Sequence, residues 1–443
     1  MSHQYNFLLI IILFISLRYY INLQIKNKID SLVSIQKINK KDYLNYVSKN
    51  ISYYKNRKYF QIIQKKDIRA NPKAFYNNFY NPMITTYKTA ANNWGETNNV
   101  TARMSKYDSI KTSIKFLTNT RNAIPSATGG SSGKSFYQLY NYNDMLEGAR
   151  GFLRCLVNLG YDYRKHSILL LYAHGNNFIQ ILNTLQYILP NFYAMIPKMD
   201  SKCDFTDKTV YEIFNIIENK KPNFVISFPS TIFRYCEKTL EKKLKHKHNP
   251  IGFDLSADFL LTCQYEFIKT IFPNSKVRMS YGTVEFGQIA QQKDDKNHLV
   301  YKVFDDLCEV SNHNKNLVVT KFSYKVQPLI NYMVDDHCEV YKIKGNTYIK
   351  NLVGKKHQDD KVDILKLDSK INMINKLVNN NIINAYYDDN NIYLSLKNRN
   401  INNIGIISRY IPNVIFKYCG LSNCKTLQKY CRKVIPYLKK NIR

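Results

Sequence analysis

A chain of 443 residues, of which 44% are hydrophobic, is long enough to bury a large core in two or three domains. The formal net charge of +32 comes from basic residues spread along the chain rather than gathered in one arm, which argues against dedicated nucleic-acid binding. None of the nine cysteines forms a C-x-x-C pair. The usual zinc-binding spacing is therefore absent, and reduced thiols in a cytosolic compartment are expected.

The chain begins with an apolar run, Phe7–Leu17, that becomes long enough to cross a bilayer when it is extended to Tyr5–Leu23. The extension includes Arg18, which can snorkel to the interface. Basic residues follow the run, which predicts that the rest of the chain stays in the cytoplasm. We predict a membrane anchor over residues 1–24 and a basic helical linker over residues 25–68. A hydrophobic helix packed on the protein's own surface is the alternative.

The segment from Thr128 to Lys134 combines three glycines, three hydroxyl side chains and a lysine. Glycine lets several backbone N–H groups point at one anion, while hydroxyls and an ammonium add further donors. This chemistry suits a loop that holds nucleotide phosphates. A Walker A loop fits poorly, because its first glycine would fall on Thr128 and the residues after Ser135 favour a strand over a helix. A flexible linker is the other alternative.

Between residues 69 and 336 the chain alternates between strand and helix patterns, which predicts an α/β body with mainly parallel sheets flanked by helices. The predicted helices are Asp144–Leu159, ending at Gly160, then Phe178–Leu189, Val210–Asn219 and Thr231–Leu244, and the predicted strands are Ser167–Tyr172 and Phe224–Phe228.

The pattern changes in residues 337–443, where strand pairs and isolated helices predict a smaller C-terminal α+β domain. The predicted elements are the strand pair Cys338–Ile343 and Thr347–Leu352, a helix over Ile371–Val378, a hairpin over Ala385–Leu396 and a basic helix from Lys425. The sequence therefore predicts a boundary between the two domains at residues 336 and 337.

Four further segments follow the glycine-rich one in order: Lys221–Ser230 with its Lys-Pro and Pro-Ser ends, Ser256-Ala257-Asp258, Val277–Gly287 containing Tyr-Gly-Thr-Val-Glu-Phe-Gly, and Pro328–Asp336. Together these segments resemble motifs of the adenylate-forming (AMP-binding) superfamily of acyl- and aryl-CoA ligases. Within it they resemble the phenylacetate–CoA ligase-like branch, which includes capsular polysaccharide biosynthesis proteins.

The resemblance implies an acid–thiol ligase that uses ATP and Mg²⁺ to convert a carboxylic acid to an acyl adenylate, followed by a thioester with coenzyme A. It implies that Glu285 and Lys134 are catalytic and that Glu285 holds the metal. His174 follows a predicted strand, where α/β folds often place ligands, and is a candidate to line the acyl pocket. The nucleotide-binding residues would be Thr128, Gly129, Gly130, Ser131, Ser132, Gly133, Lys134, Tyr281, Gly282, Thr283 and Asp336. Tyr281 would flank the adenine and Asp336 would accept from the ribose hydroxyls.

Each of these side chains also has a plain structural alternative. Glu285 could cap a helix, Tyr281 is one of 36 tyrosines and could pack in the core, and Asp336 could lie in a solvated turn. His174 could be a structural histidine after a strand. A basic nucleic-acid-binding protein with an incidental glycine loop is a separate functional hypothesis.

The chain also departs from the family pattern. Val284 replaces a threonine, Asn331 replaces an arginine, Asp335 replaces a glycine, and Lys355 follows the hinge glycine in place of an arginine. The Gly-Lys motif expected near the C terminus is missing, with Gly420 and Lys425 at the wrong spacing. These departures keep open a catalytically degenerate member of the same fold that acts as a binding or scaffolding protein.

Overall fold

The computed structural model describes residues 27, 30–32, 39–55, 57, 60–82, 122–127, 137–171, 189, 191–195, 197, 204–294, 299–354, 363–387, 392–397, 401–411 and 414–418. Several predictions concern residues outside this set: the anchor over 1–24, the glycine-rich segment 128–134, His174, the helix over 178–188, Lys355 and the basic helix from Lys425. None of the helices in the described part of the chain combines the length and apolar character that crossing a bilayer requires.

Strands and helices alternate regularly through residues 204–283, whereas strands dominate residues 284–354. The strands are β1 Asn81–Pro82, β2 Asn122–Ala127, β3 Tyr137–Tyr140, β4 Ile168–Leu171, β5 Phe192–Met195, β6 Phe224–Ser227, β7 Gly252–Ser256, β8 Lys276–Thr283, β9 Gly287–Gln292, β10 Val300–Val303, β11 Cys308–His313, β12 Asn316–Lys321, β13 Tyr332–Ile343, β14 Asn346–Val353, β15 Ile382–Tyr387, β16 Ile392–Leu396 and β17 Val414–Tyr418. The helices are α1 Lys40–Asn50, α2 Lys65–Ala70, α3 Tyr142–Leu159, α4 Asp207–Lys220, α5 Pro229–Glu241, α6 Thr262–Ile271, α7 Ile364–Leu377 and α8 Ile401–Tyr410.

Eleven strands form one large sheet in the order β11-β12-β13-β14-β10-β9-β8-β7-β6-β4-β5. Neighbours from β5 to β8 are parallel, and this half confirms the predicted α/β class. Neighbours from β8 to β11 are antiparallel. Antiparallel strands can be joined by short turns, whereas parallel strands need the crossover helices found in the first half.

Helices cover both faces of the parallel half. Because side chains alternate along a strand, Leu169 and Leu171 join the core beneath α4, α5 and α6, while Ile168 and Leu170 pack with α3 on the opposite face. The α3 helix matches its prediction closely: the Asn141 side chain accepts from the Asp144 N–H, and Gly160 ends the helix in a left-handed conformation.

The antiparallel half continues past the domain boundary predicted at residues 336 and 337. That boundary falls inside β13, which pairs with both β12 and β14 of the large sheet. The predicted strand pair is confirmed as the β13–β14 hairpin, and Lys344 and Gly345 form its turn with positive φ at both residues. The division of the chain into domains stays a prediction.

The C-terminal strands β15, β16 and β17 form a separate small sheet, and the predicted hairpin is present as the antiparallel pair β15–β16. This unit packs on α6. The Asp368 carboxylate accepts from the Thr262 N–H and hydroxyl at 2.7 and 2.8 Å, and Leu261 and Cys263 join the apolar core of α7 and α8. A carboxylate of one unit therefore caps the first turn of a helix in the other.

The predicted basic helical linker over residues 25–68 includes α1 and the start of α2 in its described part. Between them Ile63 forms a single bridge to Tyr332 at the start of β13, with backbone hydrogen bonds to Asn331 and Met333. The N-terminal segment is thereby attached to the large sheet beside residues 332–336.

Candidate nucleotide site

The Tyr281 hydroxyl donates to Oδ2 of Asp336 at 2.8 Å. Tyr281 lies on β8 and Asp336 on β13, and three strands separate β8 from β13 in the sheet. The antiparallel half must therefore curl back toward β8. Burial raises the pKa of the Tyr281 hydroxyl well above its usual value, so the group stays protonated and remains a donor. Gly354 lies against the same carboxylate, since a Cβ on it would be 3.6 Å from Oδ1 of Asp336.

Glu285 lies in the turn between β8 and β9 and is only 3% exposed. The Tyr332 hydroxyl donates to its Oε1 at 3.2 Å, which fixes the carboxylate from the side of β13. The preceding residue is also held, because the Tyr140 hydroxyl donates to the Val284 carbonyl. The turn thus presents a buried carboxylate in a defined position. The helix-cap alternative for Glu285 is wrong, since strand β9 follows the turn.

The buried side chain of Lys321 also stabilises the turn that carries Glu285. The residue is only 1% exposed, and its ammonium donates to the Phe286 carbonyl, to the Glu147 carbonyl and to the Tyr324 hydroxyl. Burial lowers the pKa of Lys321 to about 8. A lysine held by three acceptors makes the turn rigid without contacting solvent.

Lys65, at the start of α2, brings a positive charge to this carboxylate. Its Nζ lies 3.7 Å from Oε1 of Glu285 and 3.8 Å from Oδ2 of Asp335. The Gln64 N–H donates to Oδ2 of Asp67 at 2.8 Å, which fixes the start of the helix. The sequence prediction missed Lys65, because the chain holds 65 basic residues and the lysine lies far from the other site residues along the chain.

Close backbone contacts explain two glycines of the turn. A Cβ on Gly282 would lie 2.4 Å from both Oε1 of Gln288 and the Gly287 carbonyl. Gly287 has a φ of +66°, and a Cβ there would be 2.9 Å from the Gly148 carbonyl on α3. Larger residues at either position would move the turn that carries Glu285.

The strands on both sides of the glycine-rich segment form a hairpin, in which Ala127 pairs with Tyr137 across antiparallel β2 and β3. A strand follows the segment, so the expectation against a Walker A loop, which a helix follows, is confirmed. Tyr140 ends β3, and its hydroxyl donates to the Val284 carbonyl in the Glu285 turn. The hairpin on which the glycine-rich segment is carried is therefore bonded to this turn.

The predicted site residues Tyr281, Glu285 and Asp336 therefore lie close together. Tyr281 donates to Asp336, and the ammonium of Lys65 lies between the carboxylates of Glu285 and Asp335, the residue before Asp336. The solvated-turn alternative for Asp336 is wrong, because the residue lies within β13 and bonds Tyr281. Tyr281 is 8% exposed and belongs to the main core, so the core-packing alternative describes its ring correctly. A role beside adenine stays a prediction.

The donor set at Glu285 decides what kind of metal it can hold. No group of three His, Cys, Asp or Glu side chains suited to a metal occurs in the part of the chain that the structure describes. Mg²⁺ is commonly bound through one or two carboxylates together with substrate phosphates. One buried carboxylate cannot form a closed protein cage around a metal. It therefore suits a metal ion that arrives bound to a nucleotide.

No protein-family model matches this chain, and no curated protein matches it. Among solved structures, a crystal structure of 2-hydroxyisobutyryl-CoA ligase in the postadenylation state with R3-HIB-AMP is similar over 91% of this chain and 90% of that chain, with a TM-score of 0.56 and 10% sequence identity. A second crystal structure of that ligase in the same state, with 2-HIB-AMP, has a TM-score of 0.54, 10% identity and 90% coverage of each chain. This chain therefore shares the fold of a CoA ligase that forms an adenylate.

Proposed function

We propose that this protein activates a carboxylic acid with ATP and then transfers the acyl group to a thiol, with coenzyme A as the acceptor. The observation that carries the proposal is the meeting of Tyr281, Glu285 and Asp336, which come from two separate sequence motifs, beside the hairpin of the glycine-rich segment. The motif order favours the phenylacetate–CoA ligase-like branch over other adenylate-forming enzymes.

The first half-reaction joins two anions, so alignment and charge compensation dominate its barrier. A carboxylate oxygen of the acid attacks the α-phosphorus of ATP, the bond from that phosphorus to the bridging oxygen breaks, and pyrophosphate leaves. In the second half-reaction the thiol sulfur, its proton released to solvent, attacks the acyl carbon and AMP leaves. The adenylate makes this attack possible, because its phosphate is a far better leaving group than the oxide that a free acid would have to expel.

The residues of the site have separate tasks in this reaction. Asp336 accepts from the ribose hydroxyls and is oriented by Tyr281, which lies beside the base. Lys65 adds positive charge near the phosphates, and residues 128–134, with Lys134, cradle the terminal phosphates. When bound, Mg²⁺ would be held by Glu285 with phosphate oxygens and would offset the charge of the phosphates.

The direct test is pyrophosphate release by the full-length protein with ATP, Mg²⁺, coenzyme A and a panel of carboxylic acids. We expect release that depends on the acid, with a hydroxamate forming when hydroxylamine replaces the thiol. Release that is absent with every acid, although ATP binds, would remove the catalytic proposal and leave a binding or scaffolding protein of the same fold.

Val284 separates these two functions. Its carbonyl is held by Tyr140, so Val284→Thr adds a hydroxyl to the turn without moving the backbone. If the protein is an enzyme, the added hydrogen bond to a phosphate or metal ligand should raise the rate of pyrophosphate release by about tenfold. Val284→Ala is the matched control and should give no gain. No release by either variant favours the scaffolding function.

We also propose, from the sequence alone, that residues 1–24 anchor the protein to a membrane and leave its body in the cytoplasm. Membrane fractions washed with alkaline carbonate test this directly. Full-length protein should stay in the pellet, and a variant without residues 1–24 should move to the supernatant. Full-length protein in the supernatant would contradict the anchor.

A further inference from the structure

Three polar side chains are buried together on one face of the large sheet. Asp254 and Ser256 are two residues apart on β7 and therefore share a face, and Ser280 on β8 pairs in register with Ser256. Their exposed fractions are 0%, 2% and 2%. Among the residues that the structure describes, Oδ2 of Asp254 and the Ser256 hydroxyl have no hydrogen-bond partner, and the Ser280 hydroxyl makes only weak contacts, with Asp254 and with Cys155 on α3. Such atoms are uncommon in native proteins, and each one needs an explanation.

The neighbouring strands show how unusual this polarity is. On the same face β4 and β6 present large apolar side chains to α3: Ile168, Leu170, Phe224 and Ile226. Apolar residues on β7 and β8 would extend this core and avoid the desolvation cost of unpaired polar atoms. The change from apolar to polar at β7 therefore needs an explanation other than ordinary core packing.

Asp254 is only half engaged by its protein neighbours. Nε2 of Gln291 approaches its Oδ1 at 3.4 Å while donating to the Cys155 carbonyl on α3 at 3.0 Å. The other carboxylate oxygen accepts no hydrogen bond of normal geometry from the part of the chain that the structure describes. Burial raises the pKa of Asp254 to about 7, and weak hydrogen bonds from the Ser280 hydroxyl and the Gln291 amide offset only part of this rise. The ionised form therefore lacks some of the donors it needs.

The unpaired polar atoms continue toward the candidate nucleotide site. On either side of the Glu285 turn, Thr283 Oγ1 and the amide oxygen and nitrogen of Gln288 are buried without a partner among the described residues. In open α/β sheets, ligands bind beyond the carboxyl ends of the parallel strands, where Ser256 and Thr283 lie. The buried polar atoms thus extend from the candidate nucleotide site to Asp254.

We propose that Asp254, Ser256 and Ser280 bind a second polar group on the acid, so that the substrate is a hydroxy- or amino-substituted carboxylic acid. This inference rests on the proposed function, which supplies the carboxylate end. The hydroxyl or ammonium donates to Oδ2 of Asp254, and the two serine hydroxyls rotate to donate or accept around it. A site built to bond such a group rejects the analogue that lacks it, because its own polar atoms then stay unpaired.

Titration calorimetry of the full-length protein without ATP tests the inference independently of catalysis. The probes are hexanoate, 6-hydroxyhexanoate and 6-aminohexanoate, with phenylacetate and its 4-hydroxy and 4-aminomethyl derivatives. We expect at least one substituted acid to bind about 100-fold more tightly than its unsubstituted parent. Pyrophosphate release is measured with the same six acids.

Single variants Ser256→Ala and Ser280→Ala identify the atoms responsible. Each should reduce the discrimination to about tenfold or less, yet leave the melting temperature of the ligand-free protein unchanged or higher, because an unpaired hydroxyl is lost. Asp254→Asn keeps the shape of the side chain but removes its charge, so it distinguishes the two substituents. Binding of the amino-substituted acid should fall, whereas binding of the hydroxy-substituted acid should be largely retained. Ser311→Ala, at an exposed position of β11, is the matched control.

The outcomes separate this inference from the proposed function. Selective binding without pyrophosphate release upholds the polar pocket and removes the catalytic proposal. Equal binding or turnover of substituted and parent acids overturns the inference while the function stands. Binding by none of the six acids, or a melting temperature that falls by several degrees in both serine variants, also overturns it, since the hydroxyls would then serve the fold.

Discussion

Glu285→Gln should lower the rate of pyrophosphate release by about 100- to 1,000-fold, the loss typical when one preorganised electrostatic contact is removed from an active site. Glutamine keeps the length of the side chain, and its oxygen can still accept from the Tyr332 hydroxyl. The variant loses the negative charge that pairs with Lys65 and that would hold a metal. The measurement is the initial rate with saturating ATP and the best acid.

Glu309→Gln supplies the control for a lost carboxylate. Glu309 pairs with Lys40 at 3.3 Å, but both side chains are more than half exposed. Such a surface pair contributes little, so rate and stability should match those of the unmodified protein. Equal rates for the two glutamine variants would show that Glu285 is not part of the reacting site.

Gly151→Ala should destabilise the protein by about 3 kcal/mol, at the upper end of the cost of overpacking a core. A Cβ on Gly151 would lie 2.1 Å from the Gln288 carbonyl oxygen and 3.0 Å from its carbon. These are backbone atoms of β9, a strand paired on both sides, and they have little freedom to move. The clash outweighs the helix propensity of alanine, which alone would add about 1 kcal/mol of stability.

Urea unfolding followed by circular dichroism measures this change. Gly405→Ala is the matched control, because Gly405 lies in α8 and is exposed, and no described atom beyond its own stretch of helix lies within 4 Å of its would-be Cβ. That substitution should stabilise by about 1 kcal/mol. Stabilisation by Gly151→Ala as well would mean that α3 and β9 are not in close contact.

Local signals predicted the regular elements well. Asn141 and Gly160 mark the two ends of α3, and the alternating pattern of residues 385–396 predicted the β15–β16 hairpin. The extent of the large sheet was not predictable in this way. Pairing of β13 with β12 and β14 is decided by contacts across the whole sheet, whereas the predicted boundary rested on where the last motif ends.

The candidate site shows the same difference between features marked by local sequence and features decided by the folded chain. Tyr281, Glu285 and Asp336 were found because each stands in a recognisable motif. Lys65 and Lys321 were not, since each is one lysine among many and its position depends on the folded chain. Side chains such as Tyr140 and Tyr332, which orient the turn, are equally hidden among 36 tyrosines.

Titration of ATP with Mg²⁺ into the full-length protein, compared with Asp336→Asn and Glu309→Gln, tests most directly whether these segments form one nucleotide site. We expect binding by the unmodified protein and by Glu309→Gln with the same Kd, and binding at least about tenfold weaker in Asp336→Asn, because a charged hydrogen-bond acceptor is lost. The absence of heat with ATP, or an unchanged Kd in Asp336→Asn, would contradict the proposed site.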